Sequence, residues 1–325
     1  MARGISRSKV AYEKPTSLPG DLITKLSERG LVIEDEHIAE NALRFVGYYR
    51  LRGYFYPFYR MTEERVPRVH EPKRFLSGTT LGQVINLYEF DRRLRLIILE
   101  QIQKVEVALR TCLSEHMSAR YGAHWFMNLA IMRPDYDHQE FFRQIAGAKE
   151  VFIQHYRERY STPVCPPSWM ITEVMTFGTW SAMYASIPVS DQRAIARMFS
   201  LNSHDVLGSW FHTLSHLRNL CAHHNRVWNR HFMVFAPMHN NGYEHHFTHR
   251  KHTLYCRLAI LKYLSDQVSW SDGLKEQLDT LMAQPPACVT WEKMGFPELW
   301  RDDPLWTRPV NPPGSGAKPD QTAGG

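Results

Sequence analysis

The sequence predicts an all-α protein, and three observations carry that prediction. Apolar residues recur at i, i+3, i+4 spacing in stretch after stretch, the 3.6-residue period of helices with one buried face. No segment alternates apolar and polar residues long enough to make a half-buried strand. The longest periodic stretch, from about Thr80 to Ala119, far exceeds the length of any ordinary strand.

Taken in order, residues 17–29 carry Leu18, Leu22, Ile23 and Leu26, and residues 34–45 carry Ile38, Leu43 and Phe45, each set at helical spacing. The Pro- and charge-rich piece TEERVPRVHEPKR reads as an exposed loop. The long helix follows, with an apolar stripe of Leu87, Phe90, Leu94, Ile98, Val105, Leu109 and Cys112, and Gly122 as its stop. A helical region over about Gln139–Arg159 ends at the Pro-rich STPVCPP. SWMITEVMTFGTWSAMYASI reads as a buried helix or helix pair, with Gly178 where the chain comes close to a neighbour. Short helices at 190–199 and 203–209 lead into a helix over Phe211–Arg230. After the polar connection HNNGYEHHFTHRKH come helices at about Thr253–Val268 and Asp272–Met282. The tail RPVNPPGSGAKPDQTAGG has the composition of a disordered segment. These stretches divide into an N-terminal helical region (1–79), a core (80–235), a C-terminal helical extension (236–304) and the tail (305–325).

Composition narrows the class. Apolar residues make up 43% and charged residues 22% of the 325, the balance of a soluble globular protein. No run approaches the 18 or so apolar residues of a membrane span. The basic start has no apolar stretch after it, so no secretory signal and no membrane association are expected. The five cysteines are scattered, with no CxxC pair, which fits a reducing interior and a cytoplasmic location. The net charge of +6 favours anionic partners. Between Asp191 and Arg257 lie eight Lys/Arg against three Asp/Glu, and eleven of the chain's 17 histidines.

That region contains LRNLCAHHNRVWNR, Leu217–Arg230. On a helical projection Trp210, Leu214, Leu217, Cys221 and Trp228 share one direction and make a packing stripe. The opposite face collects His212, Ser215, Asn219, His223, Arg226 and Arg230, with Arg218 on its shoulder. Asn219 and His223 are i, i+4 neighbours, and Arg226 continues the row. His224 falls toward the apolar side and reads as a core histidine, and Trp228 as packing.

Such a wet face suits RNA cleavage by the substrate's own 2′-OH. The reaction needs a group that moves a proton near neutral pH, and histidine titrates there. It also needs a fixed cation for the charge developing at phosphorus, which a guanidinium supplies. An amide can orient either one. No metal or other cofactor is required.

RNLCAHH has the Arg–polar–His pattern of the HEPN ribonucleases, with Arg218, Asn219 and His223 in its three places. The chain also resembles, over roughly residues 15–235, the Abi family of bacterial abortive-infection proteins of the AbiD/AbiF type. FVGYYRLRGYFYPF, LYEFDRRLRLIILEQIQKVEVALR, SWMITEVMTFGTWSAMY and LRNLCAHHNRVWNR carry that resemblance. It implies a HEPN-like helical bundle with additional N- and C-terminal helices, phage-defence or toxin-like behaviour, RNA as substrate or partner, and in some members a restraining small non-coding RNA. HEPN nucleases build their site from two motif copies. This chain has one good copy, so a homodimer bringing together two sets of Arg218 and His223 is expected. Arg110 and His116, in RTCLSEH, are the competing second copy.

Other residues have a candidate role beside a plain one. Arg92, Gln103, Glu106 and Arg110 share a face of the long helix. Glu106 there either orients Arg218 or His223 or makes an ordinary surface pair with Arg110, which itself is a further candidate to touch RNA. In YYRLRGYFYPFYR most of the aromatic bulk reads as core, and Arg50 and Arg52 as RNA contacts, joined in that role by His212 and Arg230. His239, His245, His246, His249 and His252 invite a zinc reading. With no acidic residue at HExxH spacing and no Cys pair, an RNA-facing polar loop is preferred. The function expected is a metal-independent endoribonuclease of abortive infection leaving 2′,3′-cyclic phosphate ends. The alternatives are a non-catalytic RNA-binding module, holding for example a small non-coding RNA, and a protein-interaction component of the same response.

Overall fold

The structure, a computed structural model, describes residues 11, 15–60, 73–233, 237–238, 240, 242–268 and 273–307. Most of the TEERVPRVHEPKR loop, His239 and the tail beyond Thr307 lie outside the described residues. The chain forms two compact units, residues 1–89 and 90–325, which divide within the long helix. Among the described residues there is no strand, only two isolated bridges, Val32 with Thr80 and Tyr59 with Phe75. The class is all-α, as the periodicity predicted.

The first unit holds α1 (Pro19–Glu28), α2 (Glu36–Asn41) and α3 (Tyr48–Leu51). Proline at the first position of α1, and the Asp35 carboxylate accepting the Ile38 N–H at the start of α2, supply the start signals. The stretch 34–45 is not one regular helix. A π-helical turn, Ala42–Gly47, intervenes, with Gly47 at φ +89°, where an L side chain would be strained. Leu51, Tyr54, Phe55 and Tyr59 are buried, with Phe75 edge-on to Phe55 at 5.4 Å, so YYRLRGYFYPFYR is largely core. Tyr49 and Tyr56 are exposed, against that expectation, and so are Ile38 and Phe45 of the stripe expected over 34–45.

The long helix, α4, runs Leu81–Tyr121 and stops at Gly122, whose φ of +89° ends the helical path. From Leu94 through Ile98, Ile102, Val105, Leu109 and Leu113 to Met117 its inner stripe is fully buried. Polar residues are buried beside that stripe and are tied to later parts of the chain. Gln101 donates to Gln277, Ser114 lies 2.7 Å from Ser168, and Asp91 and Glu106 reach the segment around residues 218–228. The helix works as a rail with polar fixings.

The other elements of the second unit are α5 (His138–Gly147), α6 (Val151–Arg159), α7 (Ser168–Ile171), α8 (Phe177–Ser186), α9 (Val189–Met198), α10 (His204–Ala222), α11 (Leu254–Val268), α12 (Leu274–Leu281) and α13 (Pro304–Thr307). The region expected as one helix over 139–159 is two. The Arg157 guanidinium explains the break, since it donates to the end carbonyls of α5 at Ile145, Ala146 and Ala148. Helix α10 packs against α8, α9 and α11. It starts at Ser203, whose hydroxyl accepts the Val206 N–H, so residues 203–209 belong to it and are not a separate short helix. Gly178 has no close neighbour. The tight crossing is at Gly208, where an added Cβ would lie 3.3 Å from the Tyr184 ring. Helix α11 is buried on all sides from Leu254 to Ser265. Its buried cations are paired internally, Lys262 with Asp266 at 2.7 Å and Arg257 with the Lys251 and Thr253 carbonyls. No described helix is long and apolar enough to cross a membrane.

Candidate nucleic-acid site

Helix α10 ends earlier than its sequence pattern implied. His223 is its C-cap, with its N–H donating to the Asn219 carbonyl at 2.9 Å. His224 then takes a left-handed conformation (φ +59°). The N–H of His224 reaches the Cys221 carbonyl at 3.0 Å, and that of Asn225 reaches the Leu220 carbonyl at 2.8 Å. Those two bonds make a Schellman motif with histidine in the place glycine usually takes. Two expectations are thereby corrected. His224 is an exposed turn residue, not a core histidine, and Arg226 and Arg230 lie beyond the helix rather than one turn further along its face. Ser215, assigned to the wet face, is buried.

The packing stripe behaves as predicted: Trp210, Leu214, Leu217, Cys221 and Trp228 are all buried. Trp228 achieves this outside the helix because the chain after the turn is pinned to α4. Asp91, fully buried, accepts the N–H of Trp228 at 2.7 Å and of Val227 at 3.2 Å. It also pairs with buried Arg95, one turn along α4. This anchor was missed because its two ends are 136 and 137 residues apart. Its only sequence signal is the Asp91–Arg95 i, i+4 pair in DRRLR.

Arg218 faces a groove of about 380 Å³ lined by Gln103, Glu106, Val107, Arg110 and Glu173 among others. Glu106 is nearly buried and sits between two guanidiniums. One carboxylate oxygen takes Arg110, and the other lies 3.6 Å from Nε of Arg218. Arg110 also donates to the Thr172 carbonyl at 3.3 Å. Burial, helped by the nearby Arg218 charge and opposed by Glu173, lowers the pKa of Arg110. Arg218, 37% exposed, gives Nη1 to the Asn219 side-chain oxygen at 3.4 Å. Among the described residues nothing accepts from its Nη2, and the side chain as a whole stays partly exposed.

Asn219 contacts the other two motif residues in different ways, and no contact joins the Arg218 and His223 side chains. Its side chain holds Arg218 and its carbonyl holds the His223 backbone, while the His223 imidazole is exposed. Arg226 and Arg230 lie together past the turn, with Nη1 of Arg230 donating to the Arg226 carbonyl at 3.3 Å. His212 is not part of this arrangement. It lines a different groove of about 500 Å³ with Arg133, Tyr136 and Glu140. Arg50 and Arg52 are exposed on the first unit.

Arg110 and His116 do not form a second copy of the motif. Arg110 is engaged with Glu106, whereas His116 Nε2 lies 2.8 Å from Asp191. Asp191 is fully buried and also accepts from Arg120 at 2.7 Å and from the Tyr121 hydroxyl at 2.8 Å. Burial alone would raise its pKa, yet the hydrogen bonds from His116, Tyr121 and Arg120 outweigh it and hold the carboxyl below its ordinary value. This cluster ties the end of α4 to α9.

The histidines of the polar connection divide. His249 is exposed, and His252 Nδ1 lies 2.8 Å from the Phe232 carbonyl. His246 is 1% exposed and hydrogen-bonded to Tyr255, so it is no part of an RNA-facing loop. Both His245 and His246 approach Asp303.

The residues just described fall in the span that comparison with known families identifies. The model of the Abi-like protein family matches residues 41–229, more than half of the chain and all of the Arg218–His223 region. The chain belongs to the Abi-like protein family. No curated protein and no solved structure matches it. Membership places the chain among abortive-infection, phage-defence proteins. For an Abi-like protein the fixings on α4 take on a use: Asp91 and Glu106 lie within the matched span and set the end of α10 that carries Arg218, Asn219 and His223.

Proposed function

We propose that this Abi-like protein is a metal-independent endoribonuclease of abortive infection. The observation that supports it most is the way Glu106 and Asn219 hold a partly exposed Arg218 in the last two turns of α10, which end at the exposed His223. In the reaction the RNA 2′-oxygen forms a bond to phosphorus and the bond from phosphorus to the 5′-oxygen breaks. His223 takes the proton from the 2′-OH, and Arg218 faces the charge developing on the phosphoryl oxygens. Asn219 keeps the two in register. The leaving 5′-oxygen needs a proton from a second group, and a homodimer supplies it as the partner copy of His223. The products carry 2′,3′-cyclic phosphate and 5′-OH ends.

The test is incubation of the purified protein with total RNA in EDTA, beside His223→Ala and Arg218→Ala. Cleavage by the wild type, lost in both variants, is the expected result. Wild-type protein that retains RNA in a gel shift without cutting it makes the chain an RNA-binding module instead. A strict monomer by light scattering that still cuts removes the dimer from the scheme.

A further inference from the structure

The polar connection after α10 holds a constellation that the proposed RNA chemistry does not use. Glu244–His246 is a single 3-10 turn that sets the His245 and His246 rings side by side, centroids 4.0 Å apart. Asp303, 58 residues beyond His245, turns its carboxylate to the pair. One oxygen lies 2.6 Å from His245 Nε2 and the other 3.4 Å from His246 Nε2. The ligand atoms of all three residues lie within 4.8 Å of one another. His246 Nδ1 is 2.7 Å from the Tyr255 hydroxyl, while its Nε2 is buried with no hydrogen-bond partner. A buried ring nitrogen left unsatisfied beside a carboxylate and a second imidazole calls for an explanation.

We propose that His245, His246 and Asp303 bind one divalent first-row transition-metal ion, zinc foremost, which clips the C-terminal segment Trp300–Thr307 to the 3-10 turn. Two imidazoles and one carboxylate are the donors such ions take, whereas calcium and magnesium require oxygen ligands. Tyr255 supplies the support a metal-bound histidine ordinarily has. With Nδ1–H donating to the hydroxyl oxygen, the Nε2 lone pair of His246 points to the ion. Tetrahedral zinc with bonds of about 2.0–2.1 Å sets its donor atoms roughly 3.3 Å apart. The 2.6 Å contact between His245 and Asp303 therefore opens slightly on binding, and the exposed His245 ring is free to move. Three protein ligands leave the fourth place to water. The segment so clipped is a packed one: Trp300, Leu305 and Trp306 are buried, and Trp306 stacks on Tyr255.

The experiment uses the full chain, stripped with EDTA, exchanged into ion-free buffer and titrated with Zn²⁺ and with Co²⁺. Uptake of one equivalent, visible bands of four-coordinate Co²⁺ and a rise in melting temperature are expected. His245→Ala, which removes an exposed ligand, should melt like the stripped wild type yet bind about 100-fold more weakly or worse. His249→Ala, an exposed histidine outside the cluster, should bind as the wild type does. No stoichiometric uptake at micromolar ion, or equal uptake by His245→Ala, overturns the proposal and leaves an ordinary His–Asp ion pair.

Discussion

Asp91→Ala is expected to unpin the chain beyond α10 and to destabilise the second unit severely. The substitution removes the buried carboxylate that pairs with Arg95, leaving that guanidinium the Asn225 carbonyl at 3.5 Å but no counter-charge from position 91, and it takes away the acceptor of the Val227 and Trp228 N–H groups. Breaking a buried ion pair from one side costs about 3–5 kcal/mol. A compact unit of this size shifts its melting temperature by roughly 2–4 °C per kcal/mol, so a drop of about 6–20 °C follows. Urea unfolding followed by tryptophan fluorescence measures the loss. In Asp91→Ala/Arg95→Met the buried charge is gone but the two N–H groups still lack the Asp91 acceptor, so about 2 kcal/mol of the loss should remain. Asp91→Asn keeps an oxygen for the two N–H groups and should fall between Asp91→Ala and the wild type. An Asp91→Ala protein within about 1 kcal/mol of wild type would show that this carboxylate does not hold the segment, and the reasoning would fail.

Glu106→Gln keeps the shape beneath Arg218 but removes the charge that fixes Nε; cleavage should fall about 10-fold or more while RNA retention in a gel shift stays near wild type, and an unchanged rate removes Glu106 as a positioning residue. Asp191→Asn should cost about 2–4 kcal/mol at neutral pH. Because the folded carboxyl of Asp191 is held below its ordinary value, its contribution is present above about pH 4 and lost as pH falls through the lowered value. Urea midpoints of wild type and variant should therefore converge in acid, and a difference that persists there contradicts the assignment. Gly295→Ala puts a Cβ 2.3 Å from that of Thr253 at φ +90°, whereas at Gly122 (φ +89°) an added Cβ meets nothing. Melting should show a loss of about 1 kcal/mol for Gly122→Ala and a clearly larger one for Gly295→Ala. His224→Gly should relieve the left-handed turn and stabilise by about 0.5–1 kcal/mol; no gain would mean that the side chain of His224 contributes as much as its backbone strain costs.

What the sequence disclosed and what it hid follow from the range of the interactions involved. The stripe from Leu87 to Leu109 and the stop at Gly122 are written locally, as periodicity and as a residue tolerant of positive φ, and both were legible; past Leu109 the stripe continues through Leu113 and Met117, not through the half-buried Cys112. The end of α10 was not. Its Schellman turn uses His224 where a glycine would have signalled it, so the helical projection extends to Arg230 and places Arg226 and Arg230 on a face that the helix does not have. Helices α5 and α6 merged in the pattern because their separation depends on Arg157 reaching back to three carbonyls rather than on a breaker residue. At the candidate site the motif residues themselves could be read from LRNLCAHH. The groups that fix them come from α4, more than a hundred residues earlier, and no spacing rule joins Glu106 to Arg218 or Asp91 to Trp228. The histidine segment holds no acidic residue at HExxH spacing, whereas Asp303 approaches from the far end of the C-terminal extension.

Removal of divalent ions bears on both proposals, and it bears on them differently. The Arg218–His223 chemistry needs no ion, so cleavage in EDTA should persist as long as the protein stays folded. The His245–His246–Asp303 clip needs one, so the same EDTA should lower the melting temperature. Loss of cleavage in EDTA is thus informative only below the lowered transition, where the stripped chain is still native. His245→Ala separates the cases, because at micromolar ion it lacks the clip and leaves Arg218, Asn219 and His223 untouched. Folded His245→Ala that cuts RNA equally well with and without Zn²⁺ assigns the ion to stability alone. Folded His245→Ala that cuts only when Zn²⁺ is restored shows a second ion at the chemical step, and the role given to His223 as the proton acceptor would have to be abandoned.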